Sequence, residues 1–188
     1  CGSLRLAYKK EDIDWFHYVK GIMDNVGSPA EILSPNEIKN VHPFIRLDGI
    51  LAAFHTPEDG HTDPTSTTNA MAKGARNGGA KIYRKNRVTN IKQLPSGEWK
   101  VFTENGDITC EHVVNAAGSF CPEVGEMVGL KDVPSINMIH HYLVTESHPE
   151  IEKLKKELPV TRDPEASAYL RQEGKGLLIG PYEKDAKT

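Results

Sequence analysis

Residues 113–118 read Val-Val-Asn-Ala-Ala-Gly, and no glycine-rich phosphate loop precedes them in the chain. An apolar run that stops at small residues, with a helix predicted to follow, brings bare backbone up to a bulky ligand in dinucleotide-binding folds. Larger side chains would hold a pyrophosphate or ribose away from the main chain. The following helix would present its N-terminal N–H groups there. The usual anchor of such a ligand, a Gly-x-Gly-x-x-Gly turn after a first strand, is missing. The chain therefore reads as half of a cofactor signature, a piece cut from a larger enzyme. A plain strand-to-helix turn accounts for the same residues equally well, so the motif alone leaves both readings open.

At 188 residues the chain has room for one sizeable domain or two small ones. It is 38% hydrophobic and 26% charged, which suits a globular fold. Its net charge is −3 with both signs interspersed, so no basic block could neutralise phosphates. Nucleic acid is thereby excluded as the main partner. No apolar run is long enough to span a membrane, so no membrane partner is expected. The chain begins at Cys1 rather than Met and reads as lacking its native N-terminus. The three cysteines, Cys1, Cys110 and Cys121, are too few and too odd in number for a disulfide scaffold. They fit a reducing compartment, a bacterial cytoplasm or a mitochondrial matrix. Cys110 and Cys121 read as buried small apolar residues.

Periodicity predicts an alternation of helices and strands. Trp15, Phe16, Val19, Ile22, Met23 and Val26 recur at helical spacing over 11–26, as a core-packing stripe ending near Gly27. Ser34-Pro35-Asn36-Glu37 is a capping box opening a short helix that must stop before His42-Pro43. Residues 50–55 read as a buried strand. A small-residue helix follows over about 65–77, suited to packing close on a sheet and closed by Gly78-Gly79. Strands are expected at 81–83, 87–94, 99–103 and 107–110, with a hairpin at Asn105-Gly106. Residues 112–116 give a further strand, and 120–128 a short helix ending at Gly129. Residues 138–145 give another strand. Ser147-His148-Pro149-Glu150 reads as a second capping box, with Ile151, Leu154 and Leu158 on one helix face. Residues 167–172 and 177–180 form a hairpin. The fold class is mixed α/β.

Two strands bring polar groups together. Alternation over 138–145 puts His140, Tyr142 and Val144 on one face, and on 167–172 Tyr169 and Arg171 share a face. Arginine can fork onto a carboxylate. Histidine and tyrosine can orient an amine or accept a proton from it. Taken singly, each is better explained as an edge or exposed residue. His55, His61 and Asp63 fit no metal-ligand spacing closely, and turn chemistry explains them better, so no metal is expected.

Six segments stand in order: Gly2-Ser3-Leu4-Arg5-Leu6-Ala7, Asp59-Gly60-His61-Thr62-Asp63-Pro64, Asn115-Ala116-Ala117-Gly118, His140-His141-Tyr142, Tyr169-Leu170-Arg171-Gln172-Glu173 and Gly180-Pro181-Tyr182-Glu183. With these the chain resembles, over essentially its whole length, the flavin-dependent dimethylglycine and sarcosine dehydrogenases. The resemblance implies part of an FAD-binding domain interleaved with a mixed-sheet substrate domain, in a flavoprotein of glutathione-reductase-like and D-amino-acid-oxidase-like fold. Residues of about 50–130 would belong mainly to the FAD domain, and 1–49 with 131–188 mainly to the substrate domain. Val88 matches the position whose backbone faces the adenine. Ala116, Ala117 and Gly118 match the strand end near the ribose and pyrophosphate. His140 and Tyr169 match catalytic substrate-site residues. Arg171 and Tyr182 lie in matching motifs and are assigned to substrate binding. One departure is Ser119-Phe120, where the family commonly has a tryptophan after Ala-Ala-Gly.

The implied reaction passes hydride from an N-methyl carbon of dimethylglycine or sarcosine to FAD. Such enzymes often carry a C-terminal tetrahydrofolate-binding region that receives the one-carbon unit. The phosphate loop and the histidine that links FAD covalently would precede Cys1, so this chain alone is expected to be inactive and to bind FAD weakly or not at all. Two alternatives remain: a non-catalytic regulatory relative, and another amino-acid oxidase of the same fold.

Overall fold

The computed structural model describes residues 1–187, which divide into two units. One unit joins Cys1–Asp63 to Ile139–Lys187. The other is Pro64–Met138.

The first unit is built on a seven-stranded mixed sheet. Its strands are β1 (Ser3–Ala7), β2 (Glu31–Leu33), β3 (Ala52–Thr56), and, from beyond the second unit, a group of four. That group comprises β7 (Leu143–Val144), β8 (Val160–Asp163), β9 (Ala168–Glu173) and β10 (Gly176–Pro181). The spatial order is β2-β3-β1-β8-β9-β10-β7. Only β1 and β8 run parallel; the other pairs are antiparallel. Periodicity does not predict β1, β2 or β8, which are only five, three and four residues long, too short for a pattern to show. β1 is held by alternation: Leu4 and Leu6 are buried on one face while Arg5 points to the other.

Two helices cover parts of opposite faces of this sheet. Helix α1 (Lys10–Val26) starts where the Asp12 carboxylate accepts the backbone N–H groups of Tyr8 and Lys9, and it ends at Gly27 in a left-handed conformation, φ 72°. It packs Phe16 against Ala7 and Ala52. Phe16 is its one buried residue. Trp15, Tyr18, Ile22 and Val26 are exposed, and Trp15 rests on Tyr18 with ring centroids 5.4 Å apart. The apolar stripe is therefore wider than the face the sheet covers: of its residues Phe16 is buried and Val19 and Met23 are half-buried, while Ile13, outside the stripe, packs beside Phe16. Helix α2 (Pro35–Val41) has its expected capping box: Glu37 accepts from the Ser34 backbone at 2.7 Å and from its hydroxyl at 2.6 Å. It buries Ile38 among Leu4, Leu6, Leu33, Ile45 and Ala53.

Two further expectations on this unit change. Of 138–145, only Leu143 and Val144 pair, against Leu178 and Ile179. Tyr142 and Leu143 are exposed. β10 runs on to Pro181, but proline has no N–H to give a ladder, and the pairing with β7 stops at Ile179. The second capping box is also displaced. Helix α5 (Pro149–Glu152) is one turn long, and its cap is His148, whose Nδ1 accepts the Glu150 N–H at 3.3 Å.

The second unit holds helix α3 (Pro64–Asn77), a three-stranded antiparallel sheet, and a one-turn 3-10 helix, Gly118–Phe120, running into α4 (Cys121–Glu126). The sheet strands are β4 (Val88–Gln93), β5 (Trp99–Thr103) and β6 (Gly106–Cys110), in that order. Helix α3 lies where the small-residue pattern put it, but none of its residues is buried, so close packing on a sheet is not what it does here. Neither 81–83 nor 112–116 is a strand. Val114 is 85% exposed and Tyr83 63%. Neither run enters the β4-β5-β6 ladder, and an unpaired run is not a strand. Cys110 and Cys121 are free and half-buried rather than buried.

Candidate functional site

Strand pairing sets the most concentrated group of chemical side chains. Tyr169 on β9 stands directly opposite Gly180 on β10. Its ring lies across Gly180, in the space a β-carbon there would occupy. Glycine is required at this position by a close approach, not by backbone conformation. β10 ends at Pro181, and the Tyr182 N–H donates to Ser167 O at 2.7 Å, which brings Tyr182 back over the start of β9. The segment before β7 is fixed at one end by the Ile139 N–H, which donates to Lys187 O at 2.7 Å. His140 follows.

These constraints produce an aromatic cluster. The His140 ring stacks on Tyr182 at a centroid distance of 4.7 Å, with 17° between planes. It lies 5.9 Å from the Tyr169 ring, and the two tyrosine rings are 5.7 Å apart. Behind the histidines stands Glu183. Its Oε1 receives the His141 backbone N–H at 3.2 Å and lies 3.0 Å from His141 Nδ1. Its Oε2 is shielded from water and lies 3.5 Å from His140 Nδ1, an ion-pair distance rather than a good hydrogen bond. Its own backbone N–H, the His141 N–H and the two imidazoles hold the Glu183 carboxyl below the usual carboxylate range. The cluster offers aromatic faces to a cationic nitrogen, and an imidazole backed by a carboxylate for proton transfer.

The residues assigned from sequence divide accordingly. His140, Tyr169 and Tyr182 come together. Arg171 does not join them: its guanidinium pairs with Glu173 at 2.6 Å and donates to Gln172 O at 3.1 Å, along its own strand. Glu183 was quoted within a motif but given no role; only the fold reveals that it faces two histidines. His55 pairs with Glu31, and His61 with Glu157.

Val88, Ala116, Ala117 and Gly118 lie in the second unit. Asn115 organises the turn: its amide donates to Cys121 O at 2.9 Å, and its side-chain oxygen accepts from the Ala117 N–H at 3.3 Å. Ala116 and Gly118 are exposed, Gly118 has φ 57°, and a β-carbon on it would meet nothing within 4 Å. The backbone of 116–118 is therefore open to a large ligand. Val88 opens β4, half-buried, opposite Thr103. A cavity of about 370 Å³ lies between this sheet and α4, lined by Ile91, Trp99, Val113, Asn115 and Val124 among others. These features fit one wall of a cofactor site.

The family described as DAO, FAD dependent oxidoreductase, matches residues 1–188. The chain is 45% identical over 186 residues to mitochondrial dimethylglycine dehydrogenase of Rattus norvegicus, covering 99% of this chain and 22% of that protein. It is 34% identical over 187 residues to mitochondrial sarcosine dehydrogenase of Homo sapiens, covering 97% of this chain and 20% of that one. In structure it is similar to L-proline dehydrogenase from P. horikoshii, with a TM-score of 0.78 and 27% identity, over 95% of this chain and 47% of that one. The chain belongs to the FAD-dependent oxidoreductase family. It spans about a fifth of the length of the curated relatives it matches. No helix among the described residues is long and apolar enough to cross a membrane.

Proposed function

We propose that the protein containing this chain is a flavin-dependent dehydrogenase that oxidises the N-methyl group of dimethylglycine or sarcosine. The observation behind this reading is the juxtaposition of His140, Tyr169 and Tyr182 with Glu183 behind, in a family of FAD-dependent oxidoreductases. When bound, FAD supplies the acceptor for the hydride leaving the methyl carbon. Ala116, Ala117 and Gly118 would hold it by exposed backbone, with Val88 near the adenine.

An amine releases hydride only when its lone pair is free, so the substrate ammonium must first lose its proton. His140 takes that proton on the ring nitrogen turned away from Glu183, and Glu183 stabilises the imidazolium through Nδ1. Tyr169 and Tyr182 hold the methylated nitrogen against their faces while it is still cationic. The product iminium keeps a positive charge, so the same faces hold it. Transfer of the one-carbon unit to tetrahydrofolate, outside this chain, belongs to the same reading, as does a bacterial cytoplasmic or mitochondrial matrix location.

In the full-length protein, His140→Ala should lower turnover of the N-methyl amino acid about 10²-fold or more with flavin content unchanged. Undiminished turnover would remove His140 from the reaction.

A further inference from the structure

Three segments far apart in the chain meet at one end of the parallel β1–β8 pair. Ser3 on β1 stands beside Val160 on β8, and the Val160 N–H donates to Gly2 O at 3.0 Å. The Gly2 N–H donates in turn to Asp59 O at 2.7 Å, in the loop after β3. These backbone bonds set Cys1, His61 and Glu157 against one another. His61 Nε2 lies 2.6 Å from Glu157 Oε1. The Cys1 Sγ lies against Gly60, 3.6 Å from where a β-carbon there would stand. Cys1 Sγ, a His61 ring nitrogen and a Glu157 carboxylate oxygen all fall within 4.8 Å of one another.

Thiolate, imidazole and carboxylate are the side-chain groups that bind zinc. Their charges also balance it: thiolate and carboxylate neutralise a divalent cation while the imidazole binds uncharged. Donors bound tetrahedrally at about 2.0–2.3 Å stand about 3.3–3.8 Å apart, so shifts of about 1 Å close the set. All three side chains are exposed and free to make them. The bond the metal would displace at Cys1 is weak, a thiol donating to Gly2 O at 3.5 Å. The neighbouring charged groups have partners of their own. The Asp59 carboxylate is held first by the Ser3 hydroxyl and the Gly60 N–H, with Arg162 a lesser influence. The Cys1 ammonium donates to Asp59 O at 3.4 Å, and His55 pairs with Glu31. Sequence spacing sets His61 beside His55 and Asp63 and predicts no metal; the fold gives it Cys1 and Glu157 instead.

We infer that Cys1, His61 and Glu157 form a zinc site that clasps the starts of β1 and β8 to the loop after β3. Three protein ligands leave the fourth, solvent-facing position of the tetrahedron to water. Calcium and magnesium do not suit the site, because they take oxygen ligands in larger number. The site shares no residue with the His140–Tyr169–Tyr182 cluster and does not depend on the reading of that cluster.

The test uses full-length, flavin-loaded protein stripped of metal by a chelator, with zinc chloride as the probe and affinity read by calorimetry. Cys1→Ser and His61→Ala should each weaken zinc about 100-fold or more, beyond the cost of losing a partner outside the ligand set. Glu157→Gln keeps the shape and loses the charge, and should weaken zinc about tenfold. Cobalt in place of zinc should show a thiolate-to-metal absorption band that Cys1→Ser removes and Cys121→Ser keeps. Circular dichroism should show every variant folded, since the three side chains are exposed. Equal zinc affinity in wild type, Cys1→Ser and His61→Ala would overturn the site, as would a cobalt band that survives Cys1→Ser. Calcium binding as tightly as zinc through the same residues would overturn its assignment to zinc.

Discussion

Tyr169 lies with its ring across the backbone of Gly180, its cross-strand partner. The aromatic cluster depends on this contact, because the Tyr169 ring can reach its place only where no β-carbon stands. Gly180→Ala should therefore push the Tyr169 ring aside and lower kcat/KM about 10–100-fold, the effect of misplacing a positioning group by about 1 Å. Far-ultraviolet circular dichroism should stay unchanged. Wild-type kinetics in this variant would show that Tyr169 is not positioned by Gly180.

His42 is 1% exposed, and neither ring nitrogen has a hydrogen-bond partner. Burial pushes its pKa down to about 4, so the fold holds it neutral. The folded value lies below the unfolded one, so the neutral ring is compatible with the fold above about pH 6.5, and stability is lost as pH falls from there toward about 4. The loss attributable to His42 is on the order of 3 kcal/mol. In urea unfolding at neutral pH and near pH 4, His42→Phe should lose less stability across the interval than wild type. Equal losses would contradict this account of His42.

The Tyr8 hydroxyl donates to Asp163 Oδ2 at 2.9 Å, joining the end of β1 to the end of β8. Burial first, then Asp163, pushes the Tyr8 pKa up to about 12. The raised value means the bond stabilises the fold fully below the ordinary phenol range and is lost as pH rises toward about 12. Tyr8→Phe should destabilise by about 1 kcal/mol at neutral pH and remove one late-titrating phenol from the ultraviolet titration. Retention of that phenol in the variant would assign it to another tyrosine.

Glu183 faces both His140 and His141. Glu183→Gln keeps the shape and removes the charge that stabilises a protonated His140. The pH at which kcat/KM rises should then move downward, because an imidazole without its carboxylate gives up its proton at lower pH, and the plateau should be lower because it is a weaker base. A fall in kcat with KM nearly unchanged would accompany it. An unaltered kcat would assign Glu183 to holding the segment at His141 alone.

Several of these relationships were readable in the sequence, and the rest were hidden for physical reasons. The capping box at Ser34 and Glu37 was readable because four adjacent residues contain all of its partners. Strands β4, β5 and β6 were readable because short turns close each pair locally. β1 and β8 were not, because each is short and they pair across more than 150 residues of sequence. The 112–116 run had a strand's composition and no neighbour to pair with, which composition cannot reveal. Within the cluster, His140 and Tyr169 stood out by residue type. Glu183 did not, since only the fold sets it against His140 and His141.

The most direct measurement is the visible spectrum of the full-length, flavin-loaded protein mixed anaerobically with dimethylglycine or sarcosine. The account predicts that one of them bleaches the flavin band and that His140→Ala slows the bleaching about 10²-fold or more. A flavin that dithionite reduces but that neither amino acid touches would contradict it.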